Sequence, residues 1–313
     1  MAFVLVGVCT IQRPILLEEC LMSLTSQEFD EKELSVEIVV VDNDAHPNNR
    51  RTVQKIAKKS PVKINYVHEP RRGIAQARNT ILDKAIELKA DYVAMIDDDE
   101  TADKHWLASL MATEYREVAI VAGVAIPKYP VPRPYWAPEK IDFTPRFREG
   151  EIRPDAFTNN VRFSSALMTA GLRFNEKLAL TGGEDSLFFK EAIEAGFEIK
   201  QTNKAKTFET IHPSRLTFKS LIGRRYWIAA VNMRILAWEI GWYKTISRRG
   251  KRVVPIALVG FIYLFLAPFA LLSGHSAFKK FALRGGTELA TAAGRVAAML
   301  GAKPQPYQNI DGH

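Results

Sequence analysis

Short apolar runs rich in β-branched residues alternate with helical patterns through residues 1–126, and this alternation constrains the fold more than any other feature of the chain. Phe3 to Cys9, Glu37 to Val41, Val62 to Val67, Tyr92 to Ile96 and Val118 to Ile126 read as strands, the continuous apolar ones as strands buried on both faces. Between them, helical spacing runs from Pro14 through Leu17, Leu21 and Leu24, from Asn48 to Lys59, from Ile74 to Leu88 and from Lys104 to Tyr115. Strand following helix at this interval predicts an α/β fold, a mostly parallel sheet with helices on both faces. Ligands of such sheets sit outside the carboxyl ends of the strands. Three predicted strands end there in polar or acidic clusters: Thr10 to Arg13, Asp42 to Asp44, and Asp97 to Glu100.

The last cluster is the most demanding. Four adjacent carboxylates stay ionised only if solvent, a cation or hydrogen bonds offset their repulsion. Hard divalent cations take oxygen ligands, so a site for Mg²⁺ or Mn²⁺ carrying a phosphate ligand is one reading. A solvated acidic loop capping the next helix is the other. A single Asp at a strand end, such as Asp42, is equally a turn former or helix cap. No glycine-rich phosphate loop accompanies these ends, which argues against a dinucleotide cofactor or a P-loop ATPase. Asp97-x-Asp99-x-Thr101 also fits the nucleophile motif of haloacid-dehalogenase-type phosphatases, although several strands precede it and no second acid follows Asp185 closely.

Lys+Arg 43 against Asp+Glu 35 gives a net charge of +8, which suits anionic lipid, nucleic acid or phosphorylated substrates. Cys9 and Cys20 have no metal-ligand spacing, and a reducing compartment is expected. The apolar start lacks a basic region and a cleavage site, so it reads as a strand, not a signal peptide.

Val8-Cys9-Thr10 with Arg13, Val39-Val40-Val41-Asp42-Asn43, Gly73-Ile74-Ala75-Gln76-Ala77-Arg78-Asn79, Ile96-Asp97-Asp98-Asp99-Glu100 and Gly183-Glu184-Asp185 follow one another in a telling order. In that order they resemble the motifs of family 2 glycosyltransferases, over roughly two thirds of the chain. Gly7-Val8-Cys9-Thr10 is further similar to the opening of rhizobial, succinoglycan-type exopolysaccharide glucosyltransferases. The resemblance implies a GT-A fold, Rossmann-like, over residues 1–215, with a nucleotide-sugar half to about 126 and an acceptor half beyond it. It implies an inverting transfer of a single sugar, glucose from UDP-glucose, with Mg²⁺ or Mn²⁺ as cofactor and no nucleic acid among the partners.

By the same resemblance, Asp97 contacts the ribose and Asp99 ligates the metal. Asp98 joins the nucleotide-binding set, or else shapes the turn with Glu100. Asp42 accepts from the uracil imide, Thr10 lines the base pocket, and Arg13 joins the nucleotide-binding set. Arg78 approaches the nucleotide from its helix; from the residues alone it reads as a surface arginine. Asp185 is the general base that takes the proton of the acceptor hydroxyl, and Glu184 positions the acceptor. Without the resemblance, both acids read as the cap of the helix from Leu187 to Ala195. His212, after strand-like Lys206 to Ile211, completes the metal site by resemblance and reads otherwise as a structural histidine. Arg224-Arg225-Tyr226-Trp227 lacks the glutamine of the motif of processive relatives, which favours single transfer. The proline-rich stretch 127–145 is expected to be an irregular loop near the acceptor.

Beyond residue 215 the chain changes character. Residues 216–252 read as basic and aromatic interfacial helices, with Trp227, Trp238, Trp242, Tyr243 and Arg248-Arg249-Gly250-Lys251-Arg252. Residues 253–274 form an apolar segment that reads as a span, a monotopic hairpin or a buried core helix, and 275–313 as an amphipathic helix and tail. These features, with the positive charge, predict an enzyme at the cytoplasmic face of the bacterial inner membrane, bound to anionic lipid and acting on a polyprenyl-diphosphate-linked saccharide. A non-catalytic membrane-binding protein on the same scaffold is the remaining alternative.

Overall fold

The computed structural model describes residues 1–30, 32–137, 147–178 and 180–305. Strands β1 (Ala2–Thr10), β2 (Leu34–Asp42), β3 (Lys63–His68) and β4 (Tyr92–Asp97) alternate with helices α1 (Pro14–Thr25), α2 (Arg50–Ala57) and α3 (Ile74–Leu88). Pro14 opens α1 at a position where its missing N–H costs nothing. These strands pair in parallel in the order β3-β2-β1-β4. The side-chain period of two decides both faces. Val4, Val6 and Val8 pack with Leu17, Leu21, Val53 and Ile56 of α1 and α2, while Leu5 and Cys9 pack with Ile81 and Leu82 of α3. Each such buried aliphatic side chain stabilises the fold by about 1.5–3 kcal/mol relative to its exposure.

The second half of the sheet is mixed. It adds β5 (Glu100–Ala102), β6 (Ile120–Lys128), β7 (Asn160–Ser164) and β8 (Ile199–Thr210), in the full order β3-β2-β1-β4-β7-β6-β8-β5. β7 lies antiparallel to both β4 and β6, and β5 antiparallel to β8. Neither β5 nor β7 is evident from sequence, because β5 is three residues long and acidic and β7 carries Asn160 and Arg162.

Those two polar residues organise their surroundings. Arg162 is fully buried and donates to the carbonyls of Leu110, Tyr115 and Val118. The helix expected over Lys104 to Tyr115 is cut to α4 (Trp106–Leu110) and a 3₁₀ turn, Thr113–Tyr115, and Arg162 fills the break, sharing the Tyr115 carbonyl with the Val118 N–H. Asn160 accepts from Trp106 Nε1 at 2.9 Å and donates to the carbonyls of Val124 and Ala205, across the β6–β8 irregularity between Ala122 and Val124.

Short α5 (Ala166–Thr169) and then α6 (Glu184–Glu194) follow β7, and α6 covers the sheet with Phe188, Phe189 and Ala192. After β8 come α7 (Phe218–Arg249), kinked at Gly241, α8 (Val253–Ala270) and α9 (His275–Met299). The proline-rich stretch docks on this helical unit: Trp136 lies 4.6 Å from Phe218, and Tyr129 packs with Ile211, Leu216, Leu221 and Leu283. The rest of that loop, 138–146, and the expected tail from 306 lie outside the described residues.

Gly123 tests the polar seam. A Cβ there would stand 2.4 Å from the Ala205 carbonyl oxygen and 2.3 Å from Asn160 Oδ1, neither of which can yield cheaply. Gly123→Ala is expected to destabilise the fold by about 1–3 kcal/mol, read as a lowered thermal midpoint. Gly223→Ala, inside α7 with nothing within 4 Å, is expected to raise it by about 0.5–1 kcal/mol.

Candidate active site

Strand register brings the polar strand ends to one edge. Thr10 pairs with Asp42 and Cys9 with Asp97, so the two acidic ends flank β1, about 10 Å apart at the strand spacing. At the β2 end, Asp42 is fully buried. Its oxygens accept from the Asn49 N–H at 2.9 Å, the Asn49 side chain at 3.1 Å and Tyr66 Oη at 2.8 Å. Asn43 beside it donates to the carbonyls of Glu69 and Arg71 and accepts from the Gly73 N–H at 2.7 Å. Gly73 is the residue before α3, and its φ of 147° suits glycine alone. The end of β2 therefore sets where α3 begins.

The first turns of α3 deliver Arg78 to the centre of the edge. Its guanidinium is buried, donates to Glu184 of α6 and lies 3.6 Å from Asp97 of β4. Asp97 keeps 39% of its side chain exposed, whereas Glu184 keeps 3%. Burial pushes the Glu184 carboxyl up to about 7 although Arg78 pulls it down. Its Oε2 is buried without a hydrogen-bond partner among the described residues, and this is the oxygen a proton would take. Burial lowers the proton affinity of Arg78, but Glu184 and Asp97 outweigh it, so the guanidinium stays charged.

Two further arginines hold the rest of the acidic run. Asp98 accepts from Thr10 Oγ1 at 2.7 Å and from Arg13 at 3.1 Å, and burial pushes it up to about 7 against both partners. Asp99 takes Arg13 at 3.4 Å and Arg215 at 3.1 Å. Glu100 points inward to Asn159, and burial raises it well above the carboxylate range. Thr10, expected at a base pocket, spends its hydroxyl on Asp98. His212 is exposed, and its Nδ1 caps the 3₁₀ turn Pro213–Leu216 through Ser214. The partner of Asp99 from that segment is Arg215, which the sequence reading passed over; its signal was an arginine three residues past the expected ligand. The Cys9 thiol, pushed up to about 12 by burial, is no nucleophile at neutral pH.

Asp185 sits at the start of α6, partly exposed, its Oδ1 accepting from the Ser186 N–H at 2.6 Å. The turn that presents it requires glycine. Gly183 has φ 87°, and a Cβ there would stand 2.7 Å from Ile235 and 2.9 Å from Val231, both on α7. The helical unit thus forms the seat of the Glu184-Asp185 turn.

Among the described residues, no three His, Cys, Asp or Glu side chains are arranged as a ready metal cluster. The donors nonetheless suit a hard cation. The carboxylates that stay partly exposed there, Asp97, Asp99 and Asp185, are oxygen donors of the kind a hard cation takes, with Arg13, Arg78 and Arg215 beside Asp97 and Asp99.

Glu184 and Asp98 both carry raised pKa values, so folding takes up protons between the ordinary carboxylate range and about 7. The stability they contribute is complete below that range and lost as pH rises through 7. The thermal midpoint is expected to fall from pH 5 to pH 8, with a shallower slope in Glu184→Gln/Asp98→Asn. Arg78→Met is expected to cost about 3–5 kcal/mol at pH 8, by denaturant titration, because it strands Glu184 as a buried unpaired charge, and less at pH 5.5.

The match to known proteins agrees with this architecture. Residues 5–177 fit the model described as glycosyl transferase family 2. The succinoglycan biosynthesis protein ExoM of Rhizobium meliloti (strain 1021) is 33% identical over 304 residues, 95% of this chain and 93% of that protein. Among solved structures, the mannosyltransferase PcManGT of Pyrobaculum calidifontis, in complex with GDP-Man and Mn²⁺, superposes with a TM-score of 0.61 at 18% identity, over 95% of this chain and 86% of its own. TarS 1–349 of S. aureus, in complex with UDP, gives 0.50 at 18% identity, over 96% and 92%. The eight-stranded sheet is of the GT-A kind, and the chain belongs to glycosyltransferase family 2.

Proposed function

We propose that the chain transfers a single sugar, with inversion, from a nucleotide-diphosphate sugar, UDP-glucose, to a saccharide acceptor carried on polyprenyl diphosphate, in the synthesis of a surface polysaccharide. The observation that carries this reading is the convergence on Arg78 of Asp97 from β4 and the Glu184-Asp185 turn from α6, in a family 2 chain related to a succinoglycan biosynthesis protein. Asp97 and Asp99 are the donor-side acids. Asp185, partly exposed on a turn fixed by Gly183, takes the proton of the attacking hydroxyl as the bond to the anomeric carbon forms and the nucleoside diphosphate leaves. Glu184 holds that turn against Arg78 and positions the acceptor.

Negative charge gathers on the leaving diphosphate at an edge already rich in carboxylates. A bound Mg²⁺ or Mn²⁺ supplies the Lewis acid that neutralises it. Asp99 is its expected ligand, with Asp97 beside it and His212 available from the segment after β8. Arg13 and Arg215 hold Asp99 in the meantime, and Arg215 competes with a cation for the same Oδ2. On this reading Asp42 orients the base, Thr10 and Arg13 shape its pocket through Asp98, and Arg78 stabilises the donor side. Apolar α8 and its basic flank support work at the cytoplasmic membrane face, where such an acceptor resides.

A scan of UDP- and GDP-sugars for metal-dependent release of free nucleotide tests the assignment, and failure of every donor to bind or turn over would sink it. Asp185→Asn is expected to lower kcat by about 10²–10⁴-fold with donor affinity nearly unchanged by calorimetry. Arg215→Met is expected to tighten Mn²⁺ binding several-fold in titrations without nucleotide, and Asp99→Asn to abolish it. Unchanged Mn²⁺ binding in both would remove Asp99 from the metal site.

A further inference from the structure

Helix α8 is 18 residues without a charge, and Gly260 and Ala267 are its buried residues. Val254, Leu258, Phe261, Phe265 and Phe269, with Leu272 just past the end of the helix, are 56–92% exposed and recur every three or four residues, so they form the centre of a broad exposed apolar face, widened by Val259, Ile262, Leu264 and Leu266, opposite the buried side. The buried side lies on α9. Gly260 and Gly285 meet there so closely that a Cβ on either would come within 3.1 Å of the other's carbonyl oxygen, with Leu264 and Leu289 filling the flanks. Tyr263 and Phe281 extend the contact, with ring centroids 5.5 Å apart.

α9 is in turn fixed to α7. A Cβ on Gly294 would stand 2.1 Å from the Tyr226 carbonyl oxygen, Gly286 abuts Ile222, and Arg295 donates to the Arg249 carbonyl. α9 therefore lies between α7, which seats the Glu184-Asp185 turn, and α8, which is outermost. Along its length α9 carries Lys279, Lys280, Arg284, Glu288 and Arg295. An α8 that crossed a bilayer would draw these charges into the hydrocarbon, where they are disfavoured. Basic residues stand at both ends, Arg248, Arg249, Lys251 and Arg252 before it and Lys279 and Lys280 after it, while Arg284 lies farther along α9 beside Tyr263. A span places its basic excess on one side, whereas a helix lying in the interface has both ends among anionic headgroups.

We propose that α8 lies in the plane of the membrane, its Val254-to-Leu272 stripe sunk into one leaflet and the basic residues at both ends on anionic headgroups, so that the chain is held on one face without crossing. This rests on the reading that the enzyme works at a membrane surface and fixes how it does so. The test uses the full chain expressed in bacteria, with Lys251→Cys or Ser273→Cys at the two exposed ends of α8 and the unsubstituted chain as control for Cys9 and Cys20. A membrane-impermeant maleimide is added to inverted and to right-side-out inner-membrane vesicles. Both positions are expected to label in inverted vesicles and neither in right-side-out ones. Labelling of the two from opposite faces would overturn the in-plane arrangement while leaving membrane attachment intact. Phe261→Asp/Phe265→Asp is expected to lower partition of the purified chain onto phosphatidylglycerol vesicles at least tenfold, with donor binding unchanged. A chain that neither fractionates with membranes nor binds such vesicles, or whose stripe instead holds a stable dimer in lipid-free buffer, would overturn the proposal and the membrane-face reading together, without touching the transferase assignment, which donor turnover tests separately.

Discussion

The meeting of β4 and α6 at the edge of the sheet depends on one buried guanidinium. Arg78 can remain charged out of water only with anionic partners in place, and those partners come from opposite halves of the chain: Asp97 from the end of β4 and Glu184 from the start of α6. Phe188, Phe189 and Ala192 seat α6 on the sheet, and the shared guanidinium adds a polar tie between its first turn and the end of β4. The partly exposed acids Asp97 and Asp185 thereby inherit a fixed spacing from groups that are themselves buried.

The same economy appears around Asp42 and Asp98. Both are carboxylates that a solvent-exposed acidic edge would leave hydrated, yet Asp42 is tied to Asn49 and Tyr66, and Asp98 to Thr10 and Arg13. Hydrogen bonds replace water at these positions and make the loops after β1 and β2 rigid. Asp99, by contrast, is held by two arginines, the exchangeable kind of partner, so the run of four acids divides into inward-facing structural members and outward-facing ones.

The parallel half of the sheet was legible in the sequence because its strands are continuous apolar runs and α3 begins and ends where its pattern does, at Ile74 and Leu88. The order of the polar strand ends also carried the family. What escaped was governed by contacts distant in sequence. Arg162 looks like a surface residue until its strand is seen to face the carbonyls of Leu110, Tyr115 and Val118, and no local pattern places a fully buried arginine there. Arg78, taken alone, read as a solvated helical arginine; its burial follows from Glu184, 106 residues away. Thr101 belonged in sequence to a phosphatase-like motif, yet in the fold it lies in β5 opposite Phe208, so the spacing of Asp97 and Asp99 reflects entry into an edge strand.

The helical unit after residue 215 packs against the acidic edge at the Glu184-Asp185 turn. Gly183 adopts a left-handed conformation against Val231 and Ile235, and Leu178 and Leu187 pack in the same cluster, so α7 is one wall of the turn that carries Asp185. α9 clamps α7 from the other side through Gly294, and α8 rests on α9 through the Gly260–Gly285 contact. Small residues at each crossing leave little room for one helix to slide on the next. Through α9 and α7 the outermost helix is thus joined by contiguous packed contacts to the turn that presents Asp185.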